Sequence, residues 1–192
     1  KERYNNEIAK LNYRYEFSMI LLCNNSWQSD NPDISHICNH QEQASAMAAD
    51  SYSRVTGNIG VAMATSGPGA TNLITGICCS YYDSVPTLLI TGNASTKRQT
   101  GSTGVRQIGF QETPIVEVVQ SITKYANSIT DPNDIEYELK KAIHIAKSGR
   151  PGPVLIDIPD DLQREMIDTE NLKKYKNSDK KKSSNDTKKI ID

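Results

Sequence analysis

Continuous apolar stretches recur along the middle of this chain, and segments with helical periodicity separate them. Such stretches are typical of strands in a parallel sheet, because a strand buried on both faces needs no polar side. The clearest predicted strands are IGVAMAT (59–65), VPTLLITG (85–92) and PGPVLIDIP (151–159), and less regular ones are FSMILLC (17–23) and ISHIC (34–38). The alternation predicts an α/β domain, a parallel sheet with helices on both faces.

Helical segments fill the intervals between the predicted strands. The strongest is DPNDIEYELKKAIHIAKSG, in which Asp131 is a candidate N-cap and Gly149 a stop. Four apolar residues of this segment share one helical face: Ile135, Leu139, Ala142 and Ala146. EQASAMAADSYSRVTG predicts a helix that ends near Gly57. The other predicted elements are helices within 1–16, 73–84 and 110–122, and a long polar loop at 93–109.

Charge and hydropathy are distributed unevenly over the 192 residues. The formal net charge is −1, so no overall field favours nucleic acid or a membrane surface as a partner. FSMILLC is too short to span a bilayer. From Asn171 onward the tail holds eight lysines against three acids. This composition favours a solvated linker over a site for an anionic surface.

The cysteines and histidines lack the spacing of a metal site or a disulfide framework. The cysteines are Cys23, Cys38, Cys78 and Cys79. The adjacent pair Cys78 and Cys79 lies in an apolar segment and is expected to be buried. Unpaired cysteines are typical of a reducing compartment, so we predict a cytoplasmic location. The histidines are interpreted as structural, and no metal is predicted on this chain: His36, His40 and His144.

Glu42, Ser66 and Gly92 each follow a predicted strand, at the sheet edge where parallel α/β domains bind ligands. Ser66 opens SGPGATN (66–72), a glycine-rich turn into a helix N-terminus. Its free N–H groups suit a ligand, but such turns equally often only join a strand to a helix. It has neither a P-loop lysine nor GxGxxG spacing. Glu42 lies in a first helical turn, where the helix dipole alone is a sufficient reason for an acid.

Several motifs in order carry a family resemblance. They are EQASAMAADSYSRVTG, GVAMATSGPGATNLITGI, DSVPTLLITGN, GFQE and SGRPGPVLIDIPDD. Together they closely resemble the pyrimidine-binding domain of thiamine-diphosphate enzymes, in particular the acetolactate synthase large subunit and its homologues in bacterial sugar and polysaccharide pathways. The resemblance implies a domain at 34–167. An unmatched segment precedes it at 1–33, and a Lys-rich linker toward a missing central domain follows at 168–192.

The resemblance implies a role for Glu42. In the family, the glutamate of this segment hydrogen-bonds N1′ of the aminopyrimidine ring and favours the tautomer that removes the C2 proton of the thiazolium. The activated cofactor attacks a 2-keto acid, usually pyruvate, carbon dioxide leaves, and the remainder adds to a second carbonyl. A glutamine at this position would lose most of the acceptor strength on which the tautomer depends.

The same resemblance assigns five further residues. Thr65, Pro68 and Asn72 would line the aminopyrimidine pocket, and Phe110 and Gln111 would face the reacting end of the cofactor. The candidate catalytic residues are therefore Glu42 and Gln111. The candidate cofactor-binding residues are Glu42, Thr65, Pro68, Asn72, Phe110 and Gln111.

Other family features have no counterpart in the sequence. Nothing in residues 1–33 matches the V-F-G-x-x-G-G turn, and the diphosphate-binding domain with its G-D-G motif and Mg²⁺ ligands is missing, as is the central domain that binds FAD in some members. Family pockets lie between subunits, which implies a homodimer or a partner chain that carries the diphosphate-binding domain. We therefore expect this chain alone not to turn over.

Loop 93–109 is longer than in ordinary acetolactate synthases. It carries Lys97, Arg98 and Arg106, which favours a phosphorylated or nucleotide-linked acceptor and hence the sugar-pathway branch. Two alternatives to a fragment of a conventional enzyme stay open. One is a natural small subunit of a two-chain 2-keto acid decarboxylase, and the other is a truncated, non-catalytic product.

Overall fold

The computed structural model describes residues 2–3, 19–21 and 37–176. Its strands are β1 (Glu2–Arg3), β2 (Met19–Leu21), β3 (Gly60–Ala64), β4 (Thr87–Asn93), β5 (Tyr125–Ser128), β6 (Val154–Pro159) and β7 (Met166–Ile167). Its α-helices are α1 (Glu42–Thr56), α2 (Pro68–Asn72), α3 (Ile74–Tyr82), α4 (Ile115–Val119) and α5 (Ile135–Lys147). Single 3₁₀ turns occur at Thr96–Arg98, Gln120–Ile122, Pro132–Asp134 and Leu162–Arg164.

Five strands form one parallel sheet in the order β2-β3-β4-β6-β5. Along the strands, successive apolar residues point to opposite faces of the sheet. Val61, Leu88 and Ile156 pack on one face with the buried side of α5. Ala62 and Leu89 pack on the other face with α1, α3 and α4. Helices therefore cover both faces, which confirms the predicted fold class.

The buried sides of the helices follow the predicted pattern where the period is strong. Ile135, Leu139, Ala142 and Ala146 are all buried on α5. Asp131 caps the turn before this helix, because its carboxylate accepts the Asn133 amide at 2.9 Å. Gly149 follows the helix with φ +56°. Helix α1 ends as predicted at Gly57, whose φ of +72° is easily adopted only by glycine.

The turn after β3 is shorter than predicted. Residues 68–72, expected in the turn, already form α2, because Pro68 takes the first helical position where its fixed φ and missing N–H cost nothing. Leu73 then separates α2 from α3. The expectation that both Cys78 and Cys79 are buried is wrong. On α3 they are about 100° apart, so Cys78 is half-buried and Cys79 is exposed.

The predicted N-terminal elements are described only in part. Met19–Leu21 confirms the strand in FSMILLC, and the rest of that segment lies outside the described residues. The helix expected within 1–16 is wrong at Glu2–Arg3, because these two residues form a strand that pairs antiparallel with β7. The other residues of that predicted helix lie outside the described residues. Of the strand expected at 34–38, Ile37 and Cys38 are described and are not in a strand. Ile37 is 61% exposed, unlike the residues of the buried strands.

The sequence pattern missed β5, because Tyr125–Ser128 is half-buried throughout and shows neither an apolar run nor alternation. It lies at the edge of the sheet beside β6. The first residues of the Lys-rich segment pack on the domain. Leu172 is buried among the core residues near Ile167, and Lys173 contacts both Asp134 and the ring of Tyr137.

Candidate functional site

Glu42 and Asn72 come together although 30 positions separate them in sequence. Glu42 is half-buried in the first turn of α1, and Asn72 is the last residue of α2. The Asn72 side-chain amide donates to Glu42 Oε2 at 3.0 Å. One carboxylate oxygen of Glu42 therefore accepts a hydrogen bond from a neutral donor. Before the helix, the Asn39 side chain donates to Ser45 Oγ at 2.9 Å and links the preceding residues to the first turn of α1.

The other oxygen, Oε1, lies over the glycine-rich turn. A Cβ at Gly69 would be 3.5 Å from Glu42 Oε1 and only 2.7 Å from Thr65 Cγ2, so the turn can approach this closely only with glycine there. Thr65 and Pro68 are exposed on the same turn. The turn brings Glu42, Thr65, Pro68 and Asn72 to one edge of the sheet, as predicted for a parallel α/β domain.

Gln111 reaches the same turn from the end of the long loop. A Cβ at Gly67 would be 2.7 Å from Gln111 Cβ and 2.9 Å from Gln111 O. Gly67 itself has φ +61°. Gln111 has φ +58°, a left-handed conformation that is unfavourable for a residue with a Cβ and is typically retained at functional positions. Its neighbour Phe110 is 80% exposed and presents its ring to the surroundings.

Two carboxylates near this edge were not singled out by the sequence. Glu112 accepts hydrogen bonds from the loop that precedes it, and Asp157 is buried within β6. Burial raises the pKa of Asp157, although the side chains of Thr91, Asn93 and Ser128 all donate to its carboxylate. The signal in the sequence was an acid inside an otherwise apolar strand, which requires hydrogen-bond donors around it.

The Asp157 network connects the sheet to the loop that carries Gln111. The Asn93 side-chain amide donates to Asp157 Oδ2 at 2.7 Å and to the Thr113 carbonyl at 3.3 Å. Asn93 is the last residue of β4, and Thr113 follows the loop. Asn93 therefore links the buried carboxylate of Asp157 to the residue that follows the loop.

Among the described residues, the histidines and cysteines do not form a candidate metal site. His40 is exposed, His144 lies on α5 with its ring 5.7 Å from that of Tyr175, and His36 lies outside the described residues. Within residues 2–3, 19–21 and 37–176, no group of three or more His, Cys, Asp or Glu could hold a metal ion. Among the helices of that same part, none is both long and apolar enough to cross a membrane.

The arrangement suits one kind of ligand chemistry. Glu42 is a half-buried carboxylate at a helix N-terminus, and Asn72 donates a hydrogen bond to one of its oxygens. Such a carboxylate is a strong acceptor for a ligand N–H. The nearby residues Thr65, Pro68, Asn72 and Phe110 are exposed, so the site as described is open to one side.

Comparison with known proteins gives a family match and a group of relatives. The model of the family described as "Thiamine pyrophosphate enzyme, N-terminal TPP binding domain" matches residues 18–119, more than half of the chain. Acetolactate synthase 2, chloroplastic, of Nicotiana tabacum is 46% identical over 134 residues, 70% of this chain. The acetolactate synthase large subunit of Pyropia yezoensis is 48% identical over 134 residues, and the acetolactate synthase of Arthrospira platensis is 45% identical over 136. The chain spans about a fifth of the length of these relatives, 19% to 22%.

Proposed function

Since this chain belongs to the thiamine pyrophosphate enzyme family and carries its N-terminal TPP-binding domain, we propose that it serves an acetolactate-synthase-like enzyme. The proposed reaction is decarboxylation of a 2-keto acid such as pyruvate, followed by carboligation to a second carbonyl compound. The relatives are named acetolactate synthases, and this chain covers only part of each, so activity and substrate are carried over as a proposal.

Glu42 is the residue on which the proposal depends. Its Oε1 lies beside the Gly69 turn, and its Oε2 is engaged by Asn72. When the cofactor is bound, Oε1 would accept a hydrogen bond from the aminopyrimidine ring. A carboxylate holds a proton at a ring nitrogen far better than an amide would, because charge-assisted hydrogen bonds are about twice as strong as neutral ones. The side chain of Asn72 fixes the direction of the acceptor.

Bound thiamine diphosphate supplies the nucleophilic carbon that takes up the 2-keto acid, and the protein supplies binding and orientation. Thr65 and Pro68 would contact the edge of the ring from the glycine turn. Gln111, held over Gly67, would face the reacting carbon together with the exposed ring of Phe110. The glycine at 69 supports the proposal, since a side chain there would collide with Thr65 Cγ2 and displace the turn from Glu42 Oε1.

We propose that the diphosphate and its Mg²⁺ are held by a separate diphosphate-binding domain, on a second copy of the protein or on a partner chain. The full-length protein would also provide any FAD site. Exposed apolar side chains support a covering partner: Met47 and Val55 on α1, Tyr82 on α3 and Phe110 beside the site. The free thiols of Cys38, Cys78 and Cys79 support a reducing, cytoplasmic compartment.

A narrower version of the proposal concerns the acceptor substrate, the second carbonyl compound of the carboligation. Lys97, Arg98 and Arg106 are exposed on the loop that leads to Gln111. Three cations in that loop favour a phosphorylated or nucleotide-linked acceptor over a second molecule of 2-keto acid. The sugar-pathway branch of the family is therefore the more specific proposal, and branched-chain amino acid biosynthesis is the alternative.

The test is a Glu42→Gln substitution in the protein expressed from its complete reading frame. With thiamine diphosphate, Mg²⁺ and pyruvate, we expect kcat to fall by about 10²-fold or more, the range for loss of proton-transfer catalysis. The control is Glu165→Gln, an identical change at an exposed glutamate. We expect the 192-residue chain alone to be inactive under the same conditions.

Each outcome of this experiment discriminates between the proposals. A Glu42→Gln enzyme as active as the parent would refute the role of Glu42. Turnover by the isolated chain would refute the need for a second domain. Product formed only when a phosphorylated sugar acceptor is added would support the narrower version. A parent protein with no activity under any of these conditions would favour a non-catalytic interaction module.

A further inference from the structure

Glu112 accepts four hydrogen bonds from the loop that precedes it. Its Oε1 accepts the Thr100 amide at 2.5 Å and the Thr100 hydroxyl at 2.9 Å. Its Oε2 accepts the Ile108 amide at 3.0 Å and the Gly109 amide at 3.3 Å. One side chain therefore joins two parts of the loop that lie eight or nine positions apart in sequence.

Backbone contacts reinforce the same closed loop, which runs from Thr100 to Gly109. The Glu112 amide donates to the Gly109 carbonyl at 3.1 Å. The Gln107 side chain donates to the Glu112 carbonyl at 3.2 Å. A Cβ at Gly109 would be 2.4 Å from Ala94 Cβ, so the end of the closed loop also packs against the residue that follows β4.

Glu112 is ionised at neutral pH. Desolvation by burial opposes the charge, but the hydrogen bonds from Ile108, Thr100 and Gly109 outweigh it, and the pKa of Glu112 is lowered. An ionised carboxylate is acceptor-only and can bond to all four donors, whereas an amide could accept with only one of its two terminal atoms.

The closed loop ends at Phe110 and Gln111, immediately before Glu112. Gln111 has φ +58° and lies against Gly67, where any Cβ would collide with it. A left-handed residue with a Cβ persists only where its surroundings fix the backbone on both sides. The carboxylate of Glu112 fixes the preceding amides, and its own backbone continues from Gln111.

We propose that Glu112 is a positioning residue, which closes the loop Thr100–Gly109 and thereby holds Gln111 in its left-handed conformation against the Gly67 turn. Whether Glu112 matters for catalysis rests on the function proposed for Gln111. The effect of Glu112 on the conformation of the loop is independent of that proposal and can be measured without the cofactor.

The experiment compares the purified 192-residue chain with its Glu112→Gln variant and with Glu117→Gln, an identical change at an exposed glutamate on α4. The loop provides its own reporter, because Arg106 lies inside the closed loop, whereas Lys147 is exposed at the end of α5, away from it in sequence. In Glu112→Gln, we expect trypsin to cleave after Arg106 about tenfold faster than in the parent, with cleavage after Lys147 as internal reference. Glu117→Gln should match the parent.

Backbone chemical shifts of the ¹⁵N,¹³C-labelled chain provide the second readout. In the parent we expect the shifts of Gln111 to report a left-handed residue, and in Glu112→Gln we expect averaged values. The amide signals of Ile108 and Gly109 should titrate with Glu112 in the parent and lose that titration in the variant. A general loss of stability would move signals throughout the domain instead.

If Glu112→Gln fails to fold, Thr100→Val provides the same test, since it removes one donor and leaves the carboxylate. It should raise the cleavage rate at Arg106 by a smaller factor. A protected Arg106 together with an unchanged left-handed Gln111 in either folded variant would overturn the inference. Loss of activity in Glu42→Gln is a separate result, so failure of the proposed function would not be mistaken for failure of this one.

Discussion

Replacing Gly76 with alanine tests how closely the helix of Glu42 approaches the helix that follows Asn72. A Cβ at Gly76 on α3 would lie 2.3 Å from Ala46 Cβ on α1 and 3.0 Å from the Ala46 carbonyl carbon. Carbon atoms prefer a separation of about 3.5–4.0 Å. The two methyl carbons would therefore have to move apart by roughly 1.2–1.7 Å.

The expected magnitude is a difference between two effects. Overpacking against a neighbouring helix costs about 1–3 kcal/mol, and here the collision involves backbone, which favours the upper end. Alanine gains about 1 kcal/mol over glycine in a helix interior. We therefore expect Gly76→Ala to lose about 1–2 kcal/mol of unfolding free energy. The melting temperature should fall by about 2–4 °C for each kcal/mol.

The assay is urea unfolding of the purified chain, followed by circular dichroism. Thr75→Ala is the matched control, since Thr75 is the exposed neighbour on the same helix and should be neutral or slightly stabilising. The double variant Ala46→Gly/Gly76→Ala removes the colliding methyl group, so its loss should be smaller than the sum of the two single losses. A Gly76→Ala chain as stable as the parent, or strictly additive losses, would refute the close helix contact.

Two further stability measurements address other parts of the domain. Because burial raises the pKa of Asp157 above its ordinary value of 3.8, the native state holds the proton more tightly than the unfolded state, and the contribution of Asp157 to stability is lost as pH rises through the raised pKa. We therefore measure the unfolding free energy of Asp157→Asn minus that of the parent by urea unfolding at several pH values. This difference should increase as pH rises above 3.8. A difference that does not vary with pH would contradict this reasoning. Leu172→Ala should cost about 2–3 kcal/mol, because this side chain is only 4% exposed, while Lys174→Ala at an exposed position should cost nothing measurable. Equal stabilities of these two variants would mean that the segment after Ile167 does not pack on the domain.

Local periodicity was sufficient for most of the fold. The apolar runs of β3, β4 and β6 and the apolar face of α5 are properties of neighbouring residues, so the sequence predicted them directly. Gly57 and Gly149 marked helix ends because left-handed backbone there favours glycine. Strand β5 was missed because it is half-buried and owes its pairing to β6, which lies 26 or more positions later in the chain.

For the candidate site, the family resemblance identified Glu42, Thr65, Asn72 and Gln111, and the structure brings them around one glycine turn. Their assigned roles remain predictions. The resemblance gave no role to Glu112 or Asp157. Asp157 is marked in the sequence only as an acid within an apolar strand, and Glu112, in a polar loop, has no local signature. Their donors come from residues at least three positions away, and in the case of Asp157 from neighbouring strands.

The sequence by itself determined the central strands β3, β4 and β6, helices α1 and α5, and the burial of the sheet on both faces, because these follow from the hydrophobic period of neighbouring residues. Only the tertiary structure decided that Asn72 holds Glu42, that Gln111 rests on Gly67 in a left-handed conformation, and that Glu112 closes the loop before it. The physical reason is that hydrogen bonds and close contacts between distant residues depend on how helices pack, down to the single missing methyl group at Gly76.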